Sequence, residues 1–170
     1  MLLSNIENLR EMMTNKEAQL ALQDAERHCS ERGAKFTAKR KRVLEALLNS
    51  DKALSAYELA DYCRVEQGLE MLPMSIYRIL DFLASEGLVH RLKTTNKFIA
   101  CSHISCNHDH QAWQFLICQS CDKVEEVDLE KSIVSKITDA IHEVGFRMAG
   151  SQLELEGVCA DCSMPEGARL

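Results

Sequence analysis

The first 87 residues carry apolar side chains at the three- and four-residue spacing of helices. The pattern predicts four helices, after a separate short amphipathic stretch at residues 1–14. The first spans about residues 16–32, the second begins near Thr37, the third is capped by Ser55, and the fourth spans about residues 74–86. Four short helices of this kind can pack around one small core.

The period changes from helical to alternating after Gly87. Residues 88–92 and 97–101 alternate as strands do, and the polar residues 93–96 between them form a turn, so the pattern predicts a β-hairpin. We expect Leu92 to face Lys97 across this turn. Helices followed by such a hairpin are typical of a winged helix-turn-helix, whose last helix enters the major groove of DNA.

The second half of the chain predicts a different, smaller unit. Short strands are expected at residues 114–117 and 124–127, then a helix capped by Asp128, then a strand from Phe146 to Glu156. The fold class is therefore α+β: an N-terminal winged helix-turn-helix followed by a small α/β domain with three strands and one helix.

The predicted domain boundary lies in the hairpin. We assign residues 1–93 to the winged-helix domain, with 1–15 as an extra N-terminal segment. Residues 94–102 form a hinge that includes the second wing strand, and residues 103–170 form the second domain.

Two CxxC pairs in the second half carry the strongest chemical signal. They are Cys118 with Cys121 and Cys159 with Cys162. Four thiolates suit a tetrahedral Zn²⁺ site that is closed to substrate and stabilises a fold. The alternatives are two redox-active turns or two disulfides, but two pairs at this spacing in a chain that lacks an export signal favour metal.

A second group of possible metal ligands follows from the hairpin register. If His90 faces Ile99, then His90 and Cys101 point to the same side of the hairpin. His108 or His110, together with Glu126, could supply further ligands from the second half, and such a set would make a second zinc site whose occupancy fixes the angle between the domains. Two further candidate ligands are His103 and Cys106. We assign a structural role, and no metal, to Cys29, Cys63 and His142.

The charge of the chain is divided unevenly. Its net charge is −6, yet seven Lys or Arg residues and one acid lie between Arg27 and Arg42. Such a run is either a solvated helix face or a site for phosphate, and local charge governs the attraction because distant charge is screened. The fourth predicted helix adds a hydroxyl, a phenol and a guanidinium on its outer face. The candidate DNA contacts are Lys35, Lys39, Arg40, Arg42, Ser75, Tyr77 and Arg78.

No apolar run reaches the length of a membrane span, and the start lacks a basic and then apolar signal peptide. We therefore expect a cytoplasmic protein with no membrane partner.

Four segments together resemble the ferric uptake regulator superfamily, and most closely its zinc uptake regulator branch. They are residues 32–40, 73–83, 86–90 and 115–121. The resemblance covers about residues 17–162. The sequence departs from the family pattern in three places. Ala38 stands where the family often has proline, the segment 102–111 is about two residues longer, and residues 1–14 have no clear family counterpart.

The resemblance implies a homodimeric repressor that reads a palindromic operator on double-stranded DNA through its N-terminal domain and pairs through its C-terminal domain. It implies two Zn²⁺ ions per chain, one structural on the four CxxC cysteines and one regulatory that acts as corepressor. The regulatory ligands would be His90, Cys101, Glu126 and a histidine, for which we favour His110 over His108.

Other functions remain open at this point. Within the same fold the signal could be Fe²⁺, Mn²⁺ or peroxide, although a cysteine ligand favours zinc. From another class, the chain could be a thiol oxidoreductase or a zinc hydrolase. An oxidoreductase should have one CxxC at a helix N-terminus, whereas we expect both pairs here to lie in turns beside strands. A hydrolase should have HExxH-type spacing, which the sequence lacks. We therefore predict that the protein is not an enzyme.

Overall fold

The structure is a computed structural model that describes residues 3–102, 104, 114–127, 129–150 and 152–163, with the side chains given from residue 16 onward. The chain forms two compact units, Met1–Asn107 and His108–Leu170. Among the residues whose conformation is given, no helix has both the length and the apolar character needed to cross a bilayer.

The first unit contains four helices and a hairpin. The helices are α1 (Leu3–Glu31), α2 (Ala38–Leu48), α3 (Ala56–Gln67) and α4 (Pro73–Ser85), and the strands are β1 (Val89–Leu92) and β2 (Lys97–Ala100). This order confirms the predicted winged helix-turn-helix pattern.

The helix starts of the first unit follow from local capping. The Thr37 hydroxyl accepts a hydrogen bond at the start of α2, and Ser55 and Glu58 form a reciprocal capping box on α3. Pro73 occupies the first turn of α4, where its missing N–H leaves no bond unmade.

The apolar faces of the four helices meet in one core with the hairpin. Its fully enclosed members include Val43, Leu44, Leu59, Ile76, Leu80, Leu83 and Phe98.

The separate N-terminal stretch predicted at residues 1–14 is wrong for the residues described. Helix α1 runs without interruption from Leu3 to Glu31. This span contains neither proline nor glycine, so its internal Thr14 and Asn15 cost only a little helix propensity and do not stop the helix.

The described residues of the second unit form a three-stranded sheet in the order β4–β3–β5, and two helices. The strands are β3 (Gln114–Cys118), β4 (Val124–Val127) and β5 (Leu153–Gly157), and the helices are α5 (Lys131–Glu143) and α6 (Ala160–Ser163). Strand β3 pairs antiparallel with β4 and parallel with β5.

Two predicted boundaries in the second unit are wrong. Helix α5 begins at Lys131 with Glu130 as its N-cap, because the backbone of Glu130, at φ −54° and ψ 138°, is not helical. The predicted cap Asp128 lies outside the described residues. Strand β5 begins at Leu153, not at Phe146, because Leu153 is the first residue with a partner, Gln114 of β3. The alternating pattern before Leu153 therefore does not extend the strand.

Candidate metal centre and nucleic-acid interface

The two CxxC pairs meet at one edge of the second sheet. Cys118 is the last residue of β3, and Cys159 follows β5, its parallel neighbour, so the two turns leave the sheet side by side. The amide of Gln119 donates to the carbonyl of Gly157 at 2.9 Å and fixes this alignment. The first pair spans a turn, but Cys159 directly precedes α6, which corrects our expectation of two simple turns.

The four thiols have the separations of a zinc site. All four sulfur atoms lie within 4.8 Å of one another, with Cys118 buried and the other three half-buried. The sulfurs of Cys121 and Cys159 are 3.7 Å apart, which matches the ~3.8 Å edge expected of a tetrahedron with metal–sulfur bonds of about 2.3 Å. The cysteines are free thiols, and this separation is far longer than a disulfide. The cluster fits one tetrahedral ion with no open position.

Hydrogen bonds shift the pKa values of the Cys118 and Cys162 thiols in opposite directions. The backbone N–H of Cys159, which donates to the Cys118 sulfur at 3.3 Å, lowers the pKa of Cys118 to about 6. Hydrogen bonding to the Cys159 side chain, and then to that of Cys121, raises the pKa of Cys162 to about 12. Cys118 therefore ionises readily, whereas the hydrogen-bonded thiol of Cys162 resists ionisation. A divalent cation bound among the sulfurs would favour the thiolate form.

The hairpin brings His90 and Cys101 together as predicted. The register pairs His90 with Ile99 and Leu92 with Lys97, and the amide of Cys101 extends the ladder by donating to the Leu88 carbonyl at 3.0 Å. Both side chains are buried, at 7% and 3% exposure. Their ligand atoms lie within 4.8 Å of each other. A nitrogen and a sulfur donor are thus presented on one side of the hairpin.

The remaining predicted ligands lie in the second unit or outside the described residues. Glu126 is half-buried on β4, opposite Phe115 of β3. His108, His110, His103 and Cys106 fall outside the part of the chain that the structure describes. Cys29 and Cys63 are fully buried in the helical core, as expected of structural cysteines, and His142 is exposed on α5.

The outer face of α4 carries the predicted DNA contacts. Ser75 and Arg78 are exposed, whereas Tyr77 is half-buried and its ring meets that of Phe98 edge-on, with centroids 6.5 Å apart. Tyr77 therefore both joins α4 to the hairpin and leaves part of its surface accessible.

The basic run from the end of α1 into α2 is not uniform. Lys35, Lys39 and Arg42 are exposed, and Arg42 makes an i,i+3 ion pair with Glu45 at 3.1 Å. Arg40 is half-buried, and its guanidinium lies over the ring of Phe82. The same run thus contains both solvated and packed cations.

Comparison with known proteins places the chain in a family. The model of the ferric uptake regulator family matches residues 31–156. The chain belongs to the ferric uptake regulator family. It is 33% identical over 161 residues to the zinc uptake regulation protein of Escherichia coli (strain K12), across 92% of this chain and 90% of that protein.

Two solved structures are similar to this family member. One is a zinc uptake regulator complexed with zinc and DNA, with a TM-score of 0.73 and 30% identity over 85% of this chain and 94% of that one. The other is holo XcZur, with a TM-score of 0.66 and 36% identity over 84% of this chain and 96% of that one. The resemblance read from the sequence is confirmed.

Sequence reasoning missed an exposed aromatic residue in the first unit of this family member. Tyr57, in the first turn of α3, is 65% exposed. Its position outside the inward stripe of Ala56, Leu59 and Cys63 was a signal that could have identified it. An exposed tyrosine on a helix-turn-helix is a candidate for contact with sugar or a thymine methyl.

Proposed function

We propose that this chain is a zinc-responsive, DNA-binding repressor of zinc uptake genes, with Zn²⁺ as its corepressor. The observation that carries the proposal is that the ligand atoms of His90 and Cys101 lie within 4.8 Å of each other on the hairpin that packs beside α4. The winged helix-turn-helix, the exposed Arg78 and the similarity to zinc uptake regulators support it further.

One Zn²⁺ per chain is structural in this proposal. Cys118, Cys121, Cys159 and Cys162 hold it, and the sulfur separations support four-coordination. Bound zinc stabilises the thiolates and links β3 to β5. An ion without an open coordination position supplies folding free energy and no chemistry.

A second Zn²⁺ is the signal. His90 and Cys101 would bind it from the DNA-binding unit, and Glu126 and His110, with His108 as the alternate, would bind it from the dimerisation unit, which we assign to residues 103–170. A thiolate among the ligands favours zinc over the harder ions Fe²⁺ and Mn²⁺. Because the ligands come from both domains, occupancy would restrict the orientation of the winged helix.

The coupling between zinc and DNA is a linkage. Zinc raises the affinity for DNA only by as much as it favours the DNA-competent arrangement, and DNA must raise the affinity for zinc by the same factor. Converting a mostly inactive population into a mostly active one takes about 5 kcal/mol of differential binding. Structural zinc sites in small peptides bind with about 10–16 kcal/mol, so a mixed-ligand site can supply the difference.

The active form is a homodimer on a palindromic operator. Support comes from the second unit, where large apolar side chains are exposed and where α5, all of which the structure describes, has no buried residue. A symmetric dimer reads half-sites about one helical turn apart, ~34–36 Å. Of the seven DNA contacts predicted from the sequence, we propose that Lys35, Lys39, Arg42, Ser75, Tyr77 and Arg78 bind DNA directly. Arg40, the seventh, differs from them because it is half-buried and lies over the ring of Phe82.

The test is a zinc titration of DNA binding with Cys101→Ala and its neighbour control Ser102→Ala. The probe is a duplex selected from a random pool by the zinc-loaded wild-type protein. Cys101→Ala should bind this duplex with the same weak affinity at all zinc concentrations while remaining dimeric, and Ser102→Ala should behave as the wild type. A normal zinc dependence in Cys101→Ala would contradict the proposal, and a response to Fe²⁺ or Mn²⁺ in place of zinc would reassign the signal.

A further inference from the structure

We propose that Arg40 is a positioning residue for α4, the helix that would read DNA, and that its charge is not used to bind phosphate. The proposal rests on the proposed DNA-binding function and deepens it. The sequence alone places Arg40 among equivalent basic residues, whereas the structure sets it apart from them.

The guanidinium of Arg40 is held on two sides. Its carbon lies 3.3 Å from the centroid of the Phe82 ring on α4, and Nη1 donates a hydrogen bond to the carbonyl of Lys35. The planar cation therefore bridges the segment before α2 and the last turns of α4. A stacked guanidinium uses its flat face and its fixed donors together, which an ammonium cannot do.

The backbone of Arg40 is fixed as well. Its amide donates to the Thr37 hydroxyl at 3.4 Å, as the capping interaction of α2. Capping defines where the helix starts and so the direction in which Arg40 leaves it. The backbone of Arg40 and its guanidinium are thus both held in place, as a structural bridge requires.

The neighbours of Arg40 differ from it. Lys39, Lys41 and Arg42 are exposed. Lys41 and Arg42 make solvent-exposed ion pairs with Glu26 at 3.8 Å and Glu45 at 3.1 Å. Arg40 is half-buried. Of these four consecutive cations, Arg40 is the one that packs on an aromatic ring of α4.

A second contact holds the same end of α4. Glu86, the C-cap of the helix, has a side chain that is 14% exposed and accepts from Arg32 Nε at 3.0 Å. His28 Nε2 lies 3.7 Å from the same carboxylate oxygen. Phe82 and Glu86 are one turn apart, so Arg40 and Arg32 hold two successive turns at the end of α4.

The contacts at the end of α4 also determine where Arg78 lies, and Arg78 is the residue proposed to contact bases. Arg78 lies one turn before Phe82, about 6 Å along the helix axis, and is exposed. Base recognition requires side chains held to within about 0.5 Å and 10–20° of the productive geometry. Loss of the Arg40–Phe82 contact would let α4 tilt on the core and would misplace Arg78, without removing any contact to phosphate.

The experiment measures two DNA affinities for the zinc-loaded full-length protein. The probes are a duplex selected from a random pool by the wild type, and a scrambled duplex of equal length and composition. The variants are Arg40→Lys, which keeps the charge and loses the stack, Phe82→Leu, which removes the ring, Phe82→Tyr, which keeps the ring, and Lys39→Ala, which removes an exposed charge. Circular dichroism melting verifies that each variant is folded.

Arg40→Lys and Phe82→Leu should each lose about five- to tenfold in affinity for the selected duplex, with unchanged affinity for the scrambled one. Their effects should not add in the double variant, and Phe82→Tyr should match the wild type. Lys39→Ala should weaken both duplexes equally and reduce the salt slope by about 1. Equal losses on both duplexes in Arg40→Lys, or none on either, would overturn the proposal.

Hydrogen exchange of the α4 amides tests the same contact without DNA. Exchange should be faster in Arg40→Lys and in Phe82→Leu, and unchanged in Lys39→Ala. Unchanged exchange in Arg40→Lys would overturn the positioning role. A wild-type protein that prefers no sequence would instead contradict the proposed function, so the two failures are distinguishable.

Discussion

The sulfur atoms of Cys121 and Cys159 lie 3.7 Å apart, although 38 positions separate them in the sequence. The parallel pairing of β3 with β5 brings their turns to one sheet edge. An ion bound there would connect two distant segments of the second unit, whose described helices α5 and α6 have no buried residue.

Cys121→Ser should remove this ion and destabilise the second unit. A hydroxyl is a poor zinc ligand, and the three remaining thiols would leave an open and weaker site. Mass spectrometry under native conditions should show one zinc fewer per chain, and thermal unfolding should lose its cooperative transition for the second unit.

Ser120→Ala is the matched control for that substitution, because it lies in the same turn and leaves the four thiols unchanged. It should retain both the zinc content and the melting temperature of the wild type. Full zinc content in Cys121→Ser would show that the cysteines do not form one closed site.

Several features of the fold and the site could be predicted from local sequence. Thr37 and Ser55 cap helices as expected, and the polar turn at residues 93–96 sets the register that places His90 opposite Ile99. The paired CxxC spacing predicted the sulfur cluster for the same reason: each motif is local, and only their meeting depends on the sheet.

Features that depend on tertiary partners were not predictable. The start of β5 is set by its first partner on β3, and the sequence around Phe146 does not indicate where that pairing begins. Arg40 and Lys39 are adjacent cations in a basic run, and only the location of Phe82 separates their environments.

Leu155→Asp should dissociate the proposed homodimer. Leu155 is 50% exposed on β5, near the exposed Leu116 and Val158, and these residues line an apolar groove of about 430 Å³ in the second unit. A carboxylate buried in a dimer interface should weaken association by about 3 kcal/mol, or roughly a hundredfold. Analytical ultracentrifugation measures the change.

Val65→Asp is the corresponding control, since Val65 is 65% exposed on α3 of the first unit. It should leave the dimer intact. If both variants remain dimeric at low micromolar concentration, the apolar groove is not the pairing surface.

Arg78→Ala should lower the affinity for the selected duplex by about 1–3 kcal/mol and relax its sequence preference at one position of each half-site. Arg27→Ala, which removes an exposed charge from α1, should leave the preference unchanged. Competition binding against single-base variants of the duplex provides the measurement. Equal losses for all sequences would show that Arg78 contacts phosphate and does not read bases.

Glu58 should make a pH-dependent contribution to stability. Partial burial raises the pKa of Glu58, but hydrogen bonds from Ser55 and the ion pair with Lys97 at 3.2 Å outweigh it, so the pKa lies below its ordinary value of 4.5. A lowered pKa in the folded state stabilises the fold above the unfolded value, and this contribution is lost as the pH falls through the folded value.

Glu58→Gln should therefore be less stable than the wild type at pH 7, with a free energy of unfolding lower by about 0.5 kcal/mol and a lower melting temperature. This difference should shrink below about pH 4.5. Glu66→Gln, an exposed acid on the same helix, serves as the control. A difference that stays constant from pH 7 to pH 3 would contradict the ion pair between the hairpin and α3.

The central claim is that a removable second zinc ion controls DNA binding. Its most direct measurement compares the wild-type protein with two zinc ions per chain and the same protein after mild chelation to one, on the selected duplex at fixed salt. We predict that the protein with one zinc remains dimeric and binds the duplex at least about a hundredfold more weakly, with affinity restored by added zinc. Equal affinity of the two forms for the duplex would contradict the account.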